Sequence, residues 1–141
     1  MHRKTILVVD DDQAQRRIFS RYLQFTGFRA LEATDGDEGV RMARQHAPAM
    51  ILLDLTMPVK DGWETMEALR NDPATAAIPV AAVTASHLEP ERLREAGFCG
   101  SLEKPIQPFR VLEEIEACIG PRRTNRAHPG VGGPESKPRL S

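Results

Sequence analysis

Five side chains from four distant places in the chain stand where apolar runs end, and together they hold the chemistry of a charged pocket. Asp10 and Asp11 follow "ILVV", Asp54 closes "AMILLD", Thr84 closes "IPVAAVT" and Lys104 follows "CGSLE". A carboxylate at the tip of a buried strand is costly unless a charge meets it. Three carboxylates sharing one crevice also repel one another, which raises at least one pKa. Lys104 supplies one positive charge. A hard divalent cation would supply the rest, and an oxygen-rich site with one or two carboxylates and retained water suits Mg²⁺.

The elements that must deliver these residues alternate in period. "TILVV" (5–9) is a continuous apolar run, and Asp12 with Gln15 reads as a capping box opening a helix that Gly27 stops. "FRALEA" (28–33) alternates like a strand, a helix spans about Asp35 to Gln45 before Pro48, and residues 49–54 form a second buried strand. Asp61 with Glu64 caps a third helix through Leu69, "IPVAAVT" (78–84) is a further strand, and Ser86 to Glu89 bracket the start of a short helix ending before Gly97. A weak strand (99–103) leads to a last helix with Pro108 in its first turn and Phe109, Leu112, Ile115 and Ile119 on one face. Alternating strands and helices predict an α/β fold with a five-stranded parallel sheet, doubly wound with helices on both faces. Ligands of such open sheets lie beyond the carboxyl ends of the strands, where the polar residues here collect.

With 141 residues the chain has room for one ordinary domain, read as residues 1–120. The net charge of −1 hides an asymmetry: residues 121–141 carry five basic side chains against Glu135, net +4, leaving −5 for residues 1–120. A mildly acidic body is a poor nucleic-acid binder. The basic tail 121–141 is rich in Pro and Gly and nearly free of large apolar residues, so it reads as disordered. No apolar run approaches the roughly 20 residues of a membrane span, and the start is too soon interrupted by acids for a signal peptide. The expected location is cytoplasmic. Cys99 and Cys118 fit no metal spacing and read as small core fillers, His87 as a surface loop residue and Phe98 as packing.

The acidic pair Asp10-Asp11, Asp54 in "DLTMPVKDG", Thr84 in "VTAS" and Lys104-Pro105, in this order at the ends of the matching strands, resemble the receiver domain of two-component response regulators over residues 4 to about 119. The resemblance implies a flavodoxin-like (βα)5 sheet of order 2-1-3-4-5. It implies that Asp54 accepts a phosphoryl group from a histidine kinase or histidine phosphotransfer protein. Asp10, Asp11 and Asp54, with the Thr56 backbone carbonyl, would hold Mg²⁺, while Thr84 and Lys104 would bind phosphoryl oxygens and Lys104-Pro105 would be cis. Thr56 and Ser86 occupy the positions that tune loss of the phosphoryl group, and their small polar side chains imply a phosphate of moderate lifetime.

The sequence departs from the family where many receivers carry a switching aromatic three positions before the lysine, since Ser101 stands there. On the first helix Phe19 and Leu23 face the core, while Ala14, Ile18 and Tyr22 form a neighbouring line that, with Pro105 and Ile106, could dock a partner helix or be a broad buried face. No DNA-binding domain or membrane segment is expected, and the downstream protein target is not specified by the residues. Two other readings use the same residues: a pseudo-receiver that binds a partner without phosphorylation, and a Mg²⁺-dependent phosphohydrolase. The second needs an acid closely following its nucleophile, and none comes between Asp54 and Asp61.

Overall fold

The three inner strands of the sheet, residues 5–9, 50–54 and 80–84, are buried on both faces because both are covered, whereas the two edge strands are only partly buried. The computed structural model describes residues 3–57 and 61–120. The elements are β1 (Thr5–Val9), α1 (Gln13–Phe25), β2 (Arg29–Ala33), α2 (Gly36–His46), β3 (Met50–Asp54), α3 (Gly62–Arg70), β4 (Val80–Thr84), α4 (Pro90–Glu95), β5 (Gly100–Glu103) and α5 (Pro108–Ile119). All neighbours pair in parallel, in the order β2-β1-β3-β4-β5. The flavodoxin-like architecture read from the sequence is therefore the one observed.

The period of two along the strands sorts their side chains into two cores. Leu7, Val9, Ile51, Leu53, Val80 and Ala82 pack with Ala43, Met66, Leu69 and Leu93, so α2, α3 and α4 cover one face. Ile6, Val8, Met50, Leu52, Ala81 and Val83 pack with Phe19, Leu23, Val111 and Ile115, so α1 and α5 cover the other. The sheet thus sits as a dry layer whose carboxyl edge is its polar rim.

Local signals set the element ends. Asp12 accepts hydrogen bonds from the N–H groups of Ala14 and Gln15, and Asp61 and Glu64 form a reciprocal capping box. α2 ends on Ala47 in the left-handed region (φ 48°), immediately before Pro48.

Four expectations are corrected. α4 begins at Pro90 rather than near Ser86, because the residue before a proline is driven out of the helical region, and Glu89 is extended (φ −63°, ψ 131°). β4 begins at Val80 rather than residue 78, since Pro79 has no N–H and joins the ladder only by accepting from Ile51 N–H at 2.9 Å. On α5 the core residues are Val111 and Ile115, whereas Phe109 is 60% exposed. The fourth concerns the cysteines, which are not separate core fillers: Cys99 and Cys118 form a disulfide with Cα atoms 5.5 Å apart. The pairing follows from topology. α5 runs antiparallel to β5, so its last turn returns to the level where β5 starts. The basic tail 121–141 lies outside the described residues.

Candidate functional site

The switch point of the sheet, where the chain order reverses between β1 and β3, is where the acidic residues meet. β1 delivers Asp10 and Asp11, and β3 delivers Asp54. One carboxylate oxygen from each can be chosen so that the three lie within 4.8 Å of one another. Asp10 and Asp54 are each 2% exposed, and Asp11 is exposed.

Among the described residues, Thr56 and Lys104 hold the Asp54 side chain. Its Oδ1 accepts from the Thr56 N–H at 3.0 Å, and its Oδ2 faces Lys104 Nζ at 3.4 Å. Lys104 comes from the end of β5, where its own N–H donates to the Thr84 carbonyl at 2.8 Å and the Lys104–Pro105 bond is cis. Behind Asp54 the first turn of α3 presses on the strand end. A Cβ on Gly62 would lie 2.5 Å from Leu55 Cα and 2.6 Å from the Asp54 carbonyl oxygen, so only glycine permits this approach. That is the role of "DG" at 61–62.

Asp10 is the least comfortable group. Its Oδ1 accepts from the Asp12 N–H at 2.9 Å, while its Oδ2 is buried with no hydrogen-bond partner among the described residues. Burial pushes its carboxyl up to about 6, with the Asp54 charge adding to the rise and the Asp12 N–H opposing it. A buried oxygen without a donor, beside two further carboxylates, is a donor set for a hard cation. The residues present fit Mg²⁺.

Thr84 is buried at the end of β4, but its hydroxyl is turned onto the Ser86 carbonyl rather than toward Asp54. The loop after it is tied to β5 by His87, whose Nδ1 lies 2.7 Å from Glu103 Oε2. His87 is thus on the surface, as its position suggested, yet it has a partner. Ser101 is half-buried on β5 opposite Ala82. Phe98 is a packing residue, set edge-on to Trp63 at 5.7 Å, with the Arg92 guanidinium 4.6 Å from the Trp63 ring centre.

The proposed docking residues divide between two hollows. Ile18, Tyr22 and Ile106 line an apolar hollow of about 30 Å³ with Gln15, Phe19, Pro108 and Val111. Pro105 instead lines a wider groove of about 560 Å³ along β5 with Ser101, Glu103, Phe109 and Arg110. Ala14 is exposed and Ile18 is 64% exposed, while Tyr22, further along the same line, is half-buried against the core of α1 and α5.

Sequence reasoning missed Arg16. It is 9% exposed, donates from Nη1 to the Asp10 carbonyl at 2.8 Å and pairs through Nε with Glu32 at 3.2 Å. Its position was readable: residue 16 shares the helical face of Phe19, Ser20 and Leu23.

A parallel sheet of order 2-1-3-4-5 with carboxylates, a hydroxyl and a lysine at its carboxyl edge defines a class of doubly wound domain with its site at the switch point. The chain belongs to the response regulator receiver domain family, whose pattern matches residues 6–116. It is 31% identical over 119 residues to the polar-differentiation response regulator DivK of Brucella anthropi, covering 83% of this chain and 97% of that one. Among solved structures, the chemotaxis protein CheY4 of Vibrio cholerae superposes with a TM-score of 0.78 at 28% identity, covering 84% of this chain and all of that one (100%). The receiver domain of the sensor histidine kinase PA1611 of Pseudomonas aeruginosa, solved with magnesium coordinated in its active-site cleft, gives a TM-score of 0.77 at 27% identity over 84% of this chain and 99% of that one. Among the described residues no helix is long and apolar enough to cross a membrane.

Proposed function

We propose that the chain is a phosphoacceptor in a two-component phosphorelay and that Asp54 carries the phosphoryl group. The observation that supports this best is the Asp54 carboxylate itself, 2% exposed, fixed at one oxygen by a backbone N–H and facing an ammonium at 3.4 Å with the other. A desolvated, oriented carboxylate at the mouth of a sheet is a nucleophile held for attack. One oxygen of Asp54 attacks phosphorus, and the P–N bond to the donor imidazole breaks. Its electron pair returns to the ring nitrogen, and a mixed carboxylic–phosphoric anhydride forms on Asp54.

Asp10, Asp11 and the Thr56 backbone carbonyl, with Asp54, are the residues that would hold Mg²⁺. Bound there, the ion supplies Lewis-acid neutralisation of charge on the transferring group. Lys104 follows the charge from the carboxylate to a phosphoryl oxygen, a charge-assisted bond. Thr84 has to release the Ser86 carbonyl before its hydroxyl can donate to the phosphoryl group. With Ser101 in place of an aromatic, no ring follows that movement, and the response passes through the loop carrying Ser86 and His87. Thr56 and Ser86 are exposed, which leaves an attacking water access and gives the phosphate a moderate lifetime. Persistence over many hours in native protein would oppose that last point.

The donor is a histidine kinase or histidine phosphotransfer protein whose helix seats on Ile18, Tyr22 and Ile106. Ile18→Glu abolishes transfer from that partner without altering phosphorylation by a small donor. The test of the whole reading is incubation with Mg²⁺ and acetyl phosphate, with Asp54→Asn as control. Base-labile phosphate absent from the variant supports it. No incorporation favours a binding module that works without phosphorylation, and turnover of generic phosphate esters favours a hydrolase.

A further inference from the structure

Arg16 is a buried cation that the phosphoryl chemistry does not use. Taking a guanidinium out of water is costly unless donors are met, and here Nη1 and Nε are met by backbone and carboxylate at the site's rear. Nη1 reaches the Asp10 carbonyl at 2.8 Å, and Nε reaches Glu32 on β2 at 3.2 Å. The Asp10 N–H is itself bound to the Ala33 carbonyl at 3.1 Å. Both peptide planes flanking Asp10 are therefore pinned, one by β2 and one by Arg16. The second plane also carries the amide of Asp11, so a single side chain fixes the directions in which both acids leave the backbone.

That restraint has something to resist. The carboxylates of Asp10, Asp11 and Asp54 converge although they repel, and a peptide free to turn would let the acidic pair swing apart. We propose that Arg16 is a positioning residue of the acidic site, holding the Asp10–Asp11 peptide so that both carboxylates stay converged on Asp54. A lysine cannot replace it fully, because a single ammonium lacks the planar fork that spans carbonyl and carboxylate at once. This inference rests on reading the acidic site as a magnesium site, and its test separates the two.

The first arm uses metal-free protein and amide hydrogen exchange. The Asp12 N–H, bonded to Asp10 Oδ1, reports the acidic turn, while Leu53, deep in β3, reports the whole fold. In Arg16→Met the Asp12 amide exchanges about tenfold faster relative to Leu53, the difference expected of a local opening. The second arm is calorimetric titration with MgCl₂. Arg16→Met binds about tenfold or more weakly and Arg16→Lys falls between it and the unaltered protein, in the range seen when groups supporting metal ligands are removed. If Arg16→Met does not fold, Arg16→Lys carries both arms, with about a threefold effect expected in each. Asp12 protection that falls only in step with Leu53, or magnesium affinity unchanged in folded variants, overturns the proposal. If the unaltered protein fails to bind magnesium, the reading of the site fails, and the Asp12 to Leu53 ratio still decides whether Arg16 holds the acidic turn.

Discussion

The two halves of the sheet's carboxyl edge are built differently. At the ends of β1 and β3 the polar groups are fixed: Asp54 between a backbone N–H and an ammonium, Asp10 between β2, Asp12 and Arg16. At the ends of β4 and β5, Lys104 apart, they are loosely held. Thr84 is turned away onto the Ser86 carbonyl, and the contact tying its loop to β5 joins two exposed side chains, His87 (69%) and Glu103 (52%). The elements are shorter there too, with six residues in α4 and four in β5. The Asp54 carboxylate is thus held by central strands buried on both faces, and the loosely held half reaches the edge strand β5. One covalent tie, Cys99–Cys118, restrains that edge.

The largest expected effect comes from removing that tie. The bridge closes a loop of sequence separation 19, and in the chain-entropy account such a loop contributes about 3 kcal/mol. Cys118→Ser, or reduction, should lower the urea midpoint accordingly and speed amide exchange in β5 and α5 more than in β1 and β3. A midpoint indifferent to reductant would mean that packing alone holds the edge. Next comes Gly62→Ala, which strikes the central half. The added Cβ meets backbone at Leu55 and Asp54 as well as the Leu55 side chain, and the backbone cannot give way, so α3 has to withdraw from Asp54. We expect a loss of about 1–3 kcal/mol in stability together with weaker magnesium binding. Weaker binding without loss of stability would show that the turn, not the fold, absorbs the change.

Asp10→Asn sharpens the comparison in the opposite direction. The carboxyl of Asp10 rises from an ordinary 3.8 to about 6 in the folded protein, mainly through burial. The folded state therefore holds this proton more tightly than the unfolded chain. Its contribution to stability is complete below about pH 4, is lost as pH rises to about 6, and is absent above that. In metal-free protein at neutral pH the asparagine variant should be more stable by about 1–3 kcal/mol, the scale of relieving an unsatisfied buried group, and should gain nothing from magnesium. Equal denaturation midpoints at pH 4.5 and 7.5 in the unaltered protein would contradict this.

Legibility in the sequence divides along another line, between local signals and contacts across the chain. The strand ends and caps could be read because their signals are local: an apolar run ending in Asp10-Asp11, another ending in Asp54, a cap at Asp12 and a capping box at Asp61 and Glu64. Each needs only a few adjacent residues and the rule that buried charge requires a partner. What escaped depends on contacts across the chain. Arg16 reads as one of several helical arginines until the path from α1 to the Asp10 carbonyl is known. Cys99 and Cys118 become partners only once α5 is folded back along β5. The Thr84 hydroxyl direction is a rotamer choice, which residue type does not fix. Phe109 reads as inward because its spacing to Leu112 is helical, yet period alone cannot say which stripe of a broadly apolar helix meets the sheet.

The smallest effect tests the weaker half most directly. Glu103→Gln removes the charge opposite His87 while keeping the shape of the side chain. Both groups are exposed, so solvent and salt screen the pair, and the stability change should stay within about 0.5 kcal/mol. Magnesium affinity should not move, since neither residue reaches the acidic cluster. The loop is another matter. With that tie weakened, the amides of Ser86 to Leu88 should exchange faster, and phosphorylation by acetyl phosphate should become faster, because the state in which Thr84 leaves the Ser86 carbonyl is reached more often. A faster loop with an unchanged phosphorylation rate would separate loop motion from the release of Thr84. It would then assign the restraint to the Thr84–Ser86 contact alone.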